Sequence, residues 1–210
     1  MIDLNRFMSE LESSSPAPGG GSASALVGAV SASLGLMVSH LTENKKGDED
    51  RQEEIGRTIR EMEEVKGLLL KGIDEDMDAF NGIGEARKLP RTTDEEKKIR
   101  SVALESAMKE AIRSPWRIAL NCQRSMRLNR RLLDIGNKNA SSDAASGILL
   151  SKAALDSALL NVRINLKYLK KDTYRDEQAM KLVIFSADSE GLLKESLKKI
   201  DEMLSLEGRD

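Results

Sequence analysis

One histidine and one cysteine, His40 and Cys122, set the limits on chemistry in this chain. Ser–His and Cys–His relays need a base beside the nucleophile, and no spacing around a single imidazole supports one. His40 ends an apolar stretch, where a satisfied core or capping histidine is the simpler reading. Proton transfer therefore has to rest on carboxylates, amides and hydroxyls. Three groups of such residues stand out. The run Ser15-Pro-Ala-Pro18-Gly19-Gly20-Gly21-Ser22 leads straight into a helical pattern. Its glycines let backbone approach a ligand, and the first helical N–H groups point outward there, an arrangement that suits a carboxylate, a phosphate or a polarised heterocycle carbonyl. No Lys follows the last glycine, so it is not a Walker A loop. A tight bend before a buried helix is the plain alternative.

The second group is acidic. Asp74, Asp76, Asp78 and Glu85 copy the ligand spacing of a calcium-binding EF-hand loop, but Ala79 stands where that loop turns on Gly. Helical period continues through Ile73, Met77, Phe80 and Gly84, placing Asp74, Asp78, Asn81 and Glu85 on one side. That side is either a solvated acidic face or a pocket wall carrying Asp78. The third group follows Gly136-Asn137-Lys-Asn139. At about 100° per residue, Asp143, Gly147, Ala154, Ser157, Asn161 and Asn165 share a stripe nearly opposite Lys152, Asp156, Arg163, Lys167 and Lys170. Small residues and amides are not how a solvated face is normally written, and buried amides need partners. The stripe is a close helix contact, a pocket wall or a subunit interface. Arg124, Arg127, Arg130 and Arg131 read as a solvated helix end or as a site for an acidic ligand tail.

These residues need elements to hold them. Leu4, Phe7, Met8 and Leu11 mark a short amphipathic opener. Ser22 to Leu41 carries no formal charge for twenty residues, yet five serines and two glycines make it weakly hydrophobic for a membrane span and suited to a buried core helix. Further helices are expected over 53–88, 94–134, 141–170 and 174–205. Thr93 with Glu96 forms a capping box, Pro115 is expected to kink or split its helix, and Leu89-Pro90 and Gly136–Asn139 act as breakers. No segment has strand period. The expectation is one all-α domain over 1–210, a bundle of about six or seven helices.

Composition agrees. Lys and Arg number 33 against 35 Asp and Glu, a net charge of -2, so no general field recruits nucleic acid or an anionic membrane. Aromatic residues are only 3% of the chain, too few for a base-stacking surface and unfavourable for a β-sandwich. One cysteine excludes an internal disulfide framework and a Cys-rich zinc site, and the charged start MIDLNRFMSE is not a signal peptide. A soluble cytoplasmic protein without a metal is expected.

Three blocks together resemble the cyclodeaminase/methenyltetrahydrofolate cyclohydrolase family: Ser15–Val30, Asp74–Pro90 with Thr92–Arg100, and Gly136–Gly147 continuing to Asn161–Asn165. The resemblance implies an all-α homodimer that takes a tetrahydrofolate derivative as substrate, with no prosthetic group. It implies either hydrolysis of 5,10-methenyltetrahydrofolate to 10-formyltetrahydrofolate, the leading expectation, or closure of 5-formiminotetrahydrofolate with loss of ammonia. Both reactions pass through a tetrahedral carbon between N5 and N10. On this resemblance Asp78 or Asp143 is the counter-charge or general base, and Asn137 and Asn165 hold the pterin edge or the attacking water. The glycine run from Ser15 to Ser22 receives a pterin carbonyl or a carboxylate, and Arg91 and Arg100 attract the glutamyl tail. A non-enzymatic helical interaction module is the competing class.

Overall fold

In a computed structural model, residues 3–43 and 49–204 are described, and they form six α-helices with no strand among them. The helices are α1 (Leu4–Leu11), α2 (Gly20–His40), α3 (Glu49–Lys88), α4 (Asp94–Ile135), α5 (Ser141–Tyr168) and α6 (Thr173–Leu204), with a single 3₁₀ turn at Lys138–Ala140 before α5. The all-α expectation holds. Two starts move: α2 begins at Gly20 because the last two glycines already belong to its first turn, and α3 begins at Glu49, with Glu49 and Asp50 favourably placed at its positive end.

The charge-free helix is the centre of the bundle. Packed by α3, α4 and α5, α2 buries Ala25, Gly28, Ala29, Ala32, Gly35 and Leu36. It is long and apolar enough to cross a membrane, but most of that stretch is buried against its neighbours. Small residues permit the close approach. A Cβ on Gly28 would fall 2.7 Å from Cys122 Sγ, and one on Gly147 would fall 2.5 Å from Asn129 Oδ1. The serines of α2 are satisfied inside: Ser31 Oγ donates to the Gly147 carbonyl at 2.9 Å and contacts the hydroxyls of Ser125 and Ser151. Cys122 is fully enclosed, and burial pushes its thiol up to about 12, so it carries no thiolate at neutral pH.

The long helices α3 and α4 bring the remaining pieces to one end. Thr93 caps α4 as expected, its hydroxyl accepting the Glu96 N–H while Glu96 accepts the N–H groups of Thr92 and Thr93. Pro115 does not divide α4, which runs as one helix from Asp94 to Ile135. α6 is an outer layer held by Leu182, by an edge-to-face contact of Trp116 with Phe185 at 5.5 Å, and by Lys152, which reaches Asp156 and Glu190 at 2.5 Å each. The arginine cluster serves packing. Arg124 pairs with Glu64, Arg127 with Asp188, Arg130 with Asp134 and Arg131 with Glu54, joining α4 to α3 and α6 and bracing its own last turn. His40 is exposed beside Glu43 rather than in the core, on the outward side of a last turn whose Val38 and Ser39 are fully buried.

Candidate active site

At the N-terminal end of α2 the glycine bend, the C-terminal half of α3, the middle of α4 and the C-terminal half of α5 enclose a cavity of about 460 Å³. The bend's lack of side chains makes the site possible. A Cβ on Gly21 would lie 2.2 Å from Asp76 Oδ1, and one on Gly20 would lie 3.1 Å from Asn161 Nδ2. Gly19, Gly20 and Gly21 line the cavity with Pro16 and Ala17, whereas Ser15 is exposed outside it and Pro18 is buried behind it after a cis Ala17–Pro18 peptide. Ser22, fully buried, faces α3 instead. Its hydroxyl lies 3.1 Å from Asp76 Oδ2 and 3.2 Å from the Ile73 carbonyl, sharing one proton between them.

Asp76 is the carboxylate of the cavity. On α3 the buried positions Met62, Val65, Leu69 and Ile73 step by three and four, and Asp76 is the next member of the same stripe, followed by Ala79. Burial raises its pKa above the ordinary carboxylate value, against the opposing pull of the Ser22 hydroxyl and N–H. Ser114, buried on α4, pulls the same way, and the more weakly because its hydroxyl makes no hydrogen bond of ordinary length. Asp78 sits two residues on, about 200° round the helix, and is exposed with Asp74, Asn81 and Glu85. The acidic face is thus solvated, and the continuous helix leaves no room for a calcium loop. The carboxylate that lines the cavity is Asp76, and Asp78, the one expected there, is exposed on another face of the same helix.

Asn161 and Asn165 form the opposite wall. Asn161 Nδ2 donates to the Ser157 carbonyl at 2.9 Å and Asn165 Nδ2 to the Ala111 carbonyl at 2.6 Å. A carbonyl only accepts, so each bond fixes which end of the amide is the NH₂, and Oδ1 with the second N–H of each is left to meet a ligand. With Asp76 the two Oδ1 atoms give this wall three acceptor groups. Phe80, Ile83, Ile164 and Tyr168 supply apolar surface, and Arg87 stands at the same cavity. Tyr168 also borders a second cavity of about 560 Å³ that contains Arg91, Lys97, Arg100 and Lys170 along with Glu105 and Asp172. Arg100 Nε and Nη2 each donate to the Arg87 carbonyl at 3.3 Å, linking the two cavities. Arg91 and Arg100 are therefore brought together next to the main cavity.

Asn137 and Asp143 are not. Asn137 donates its N–H to Thr42 Oγ1 at 2.8 Å and its Nδ2 to the Leu41 carbonyl at 3.2 Å, fastening the start of the 3₁₀ turn to the far end of α2. Asp143 lies in the first turn of α5, eighteen residues before Asn161, about 27 Å along the helix axis. Within one chain these two cannot meet Asp76. Their stripe divides: Gly147 and Ala154 are buried in the core, while Asn161 and Asn165 reach the cavity. Sequence reasoning missed Asp76, Arg87, Phe80 and Tyr168. The signal for Asp76 was present, a lone charge in the apolar rhythm of α3. Among the described residues no cluster of three or more His, Cys, Asp and Glu is arranged to hold a metal ion.

The class of protein is an all-α bundle whose glycine bend, part-buried carboxylate and two oriented amides line a cavity of small-molecule size. Residues 3–183 match the formiminotransferase-cyclodeaminase family, and the chain belongs to it. It is similar to a methenyltetrahydrofolate cyclohydrolase of Methylorubrum extorquens, 34% identical over 92% of this chain and 89% of that one. A formimidoyltransferase-cyclodeaminase of Gallus gallus is 31% identical over 83% of this chain but only 32% of its own length. The crystal structure of a formiminotetrahydrofolate cyclodeaminase from Thermotoga maritima superposes with a TM-score of 0.80 at 28% identity, covering 97% of this chain and 96% of that one. The protein is an enzyme of this family, which sets aside the reading as a non-enzymatic module.

Proposed function

We propose that this chain hydrolyses 5,10-methenyltetrahydrofolate to 10-formyltetrahydrofolate in the cavity between the glycine bend and Asn165. The observation that carries the reading is the acceptor wall: Asp76 with the free Oδ1 atoms of Asn161 and Asn165. A cationic amidinium bridge is electron-poor and is stabilised by such a wall, whereas an anionic reacting centre is repelled by it. Asp76 takes the role expected of Asp78 or Asp143. Its carboxylate accepts a proton from water as the water oxygen bonds to the bridging carbon, and the cation becomes a neutral tetrahedral adduct. The same proton is then delivered to N5 as the carbon–N5 bond breaks, and the hydroxyl of the adduct releases its own proton to leave the formyl group on N10. One water is consumed and one proton is released. A carboxyl whose pKa is raised by burial is suited to passing a proton in both directions.

Substrate placement follows from the rest of the site. Phe80 and Tyr168 offer ring faces to the pterin and the benzoyl group, and the glycine backbone accommodates a flat heterocycle. The cavity of Arg91 and Arg100 beyond Tyr168 receives the glutamyl carboxylates. Cytoplasmic residence and a homodimer complete the reading. The outer face of α2 exposes Val30 and Met37, and α5 beside it exposes Leu149 and Leu160, apolar surface that a second copy would cover.

The similarity to a solved cyclodeaminase favours a second reading, closure of 5-formiminotetrahydrofolate with release of ammonia. The same carboxylate would then shuttle the proton to the departing amine. Supplying purified protein with each substrate and following methenyl absorbance separates them: cyclohydrolase activity consumes the band, cyclodeaminase activity creates it. If neither changes faster than in buffer, both readings fail.

A further inference from the structure

A proline inside a long helix ordinarily removes a hydrogen bond without replacement. Pro115 lies in the buried face of α4, and with no N–H at position 115 the carbonyl of Ala111 has no helical donor. Across the interface Asn165 Nδ2 donates to that same carbonyl at 2.6 Å. Ala111 and Asn165 both line the cavity, while Pro115 stands behind them and touches nothing in it. The helix defect and the site residue are therefore two ends of one contact.

We propose that Pro115 is a positioning residue for the reaction: by withholding its N–H it keeps the Ala111 carbonyl open as the anchor that turns the Asn165 carboxamide and presents Oδ1 to the substrate. Any residue with an N–H at position 115 would place a second donor on the Ala111 carbonyl, and a shared acceptor holds the Asn165 carboxamide more weakly and less directionally. Asn165 could then rotate, exposing its NH₂ end to a cation that needs an acceptor. Asn161 offers the contrast. It is tied to Ser157 of its own helix, so nothing on α4 sets its orientation. The pair Pro115–Asn165 couples the cavity wall of α5 to the backbone of α4, and the geometry of the acceptor wall depends on it. The proposal rests on the cavity being the reaction site described above.

The test is a double-mutant cycle with Pro115→Ala and Asn165→Ala, read by kcat and KM on 5,10-methenyltetrahydrofolate and by exchange of the Asn165 side-chain amide in ligand-free protein. Pro115→Ala alone should lower kcat by roughly tenfold to a hundredfold with a smaller change in KM, the scale on which a misplaced group slows a reaction. In the Asn165→Ala background the same change should alter kcat by less than about twofold, because its route of action is gone. The Asn165 NH₂ protons should exchange markedly faster in Pro115→Ala than in the wild type. Pro115→Ser also restores the N–H and should behave alike, which covers the case of an alanine variant that does not fold. Equal kcat losses in both backgrounds, or unchanged Asn165 amide exchange in the folded proline variants, would overturn the proposal. A wild type inactive on methenyltetrahydrofolate would sink the proposed function instead, leaving the amide exchange to decide the coupling.

Discussion

Gly21 and Asp76 meet as backbone against carboxylate: a Cβ on Gly21 would stand 2.2 Å from Oδ1 and 2.4 Å from Oδ2. No side chain of any kind fits without moving the carboxylate, which a hydroxyl from the very next residue, Ser22, holds at 3.1 Å. The glycine run is thus a mould for one acidic group as much as a bend.

Gly21→Ala should therefore leave an α-helical protein whose turnover falls by about a hundredfold, the order of loss expected when a reacting group is displaced by about 1 Å. The overpacking should also cost about 1–3 kcal/mol of stability. Steady-state rates with a urea titration check both parts, and wild-type turnover in the alanine variant would refute the mould.

Asp76→Asn and Asp78→Asn should diverge. The first should abolish most turnover, and the second, a change on an exposed face, should retain it and shift stability by no more than about 0.5 kcal/mol. In the wild type kcat/KM should fall as pH drops through the raised pKa of Asp76, since the base is lost there. Stability runs in the opposite sense. Because the folded pKa lies above the unfolded value of 3.8, the native state binds the proton more tightly, and stability declines as pH rises from that value through the folded pKa. Asp76→Asn, which is neutral throughout, should accordingly melt higher than wild type at neutral pH and lose that advantage below the unfolded pKa. A melting series across pH measures it.

The two asparagines should separate by stability. Asn165→Ala leaves the Ala111 carbonyl without a donor in a buried interface and should cost about 1–3 kcal/mol. Asn161→Ala removes a bond to the Ser157 carbonyl, an acceptor already served within α5, and should cost less than about 1 kcal/mol. Both should reduce turnover. Chemical denaturation of the two variants side by side gives the comparison.

Arg91→Ala and Arg100→Ala should raise KM for a folate with its glutamyl tail by roughly tenfold to a hundredfold, in line with about 1.5–3 kcal/mol for a hydrogen bond to a charged group, while kcat stays close to wild type. The penalty should shrink at high salt, which screens the same attraction in the wild type. A substrate lacking the glutamyl carboxylates should show no difference between wild type and variants.

Much of this molecule is written locally. Helix period, the Thr93–Glu96 capping box and the breakers at Pro90 and Gly136 depend on neighbours within a few residues, so the number, order and approximate ends of the helices follow from the chain itself. The charge-free composition of Gly20–His40 likewise points to its central place, because only a helix enclosed by others gains from having no polar face. Gly19–Gly21, an α3 carboxylate and Asn165 do line one cavity, and they are among the residues that the family resemblance grouped together.

Which carboxylate it is could be decided only in three dimensions. Asp76 and Asp78 differ by about 200° of rotation on α3, and the face that meets Gly21 is set by where α2 and α4 press on that helix. Asn137 and Asp143 are chemically apt, but the length of α5 separates Asp143 from Asn161, and Asn137 is fastened beyond the start of that helix to the far end of α2. Pro115 looks like a breaker in one dimension, and it is tolerated because Asn165, fifty residues on, uses the carbonyl it leaves open. Local spacing determines elements. The meeting of residues far apart in the chain is a property of packing, and packing settles which polar group is buried, which is solvated and which is left an acceptor for a ligand.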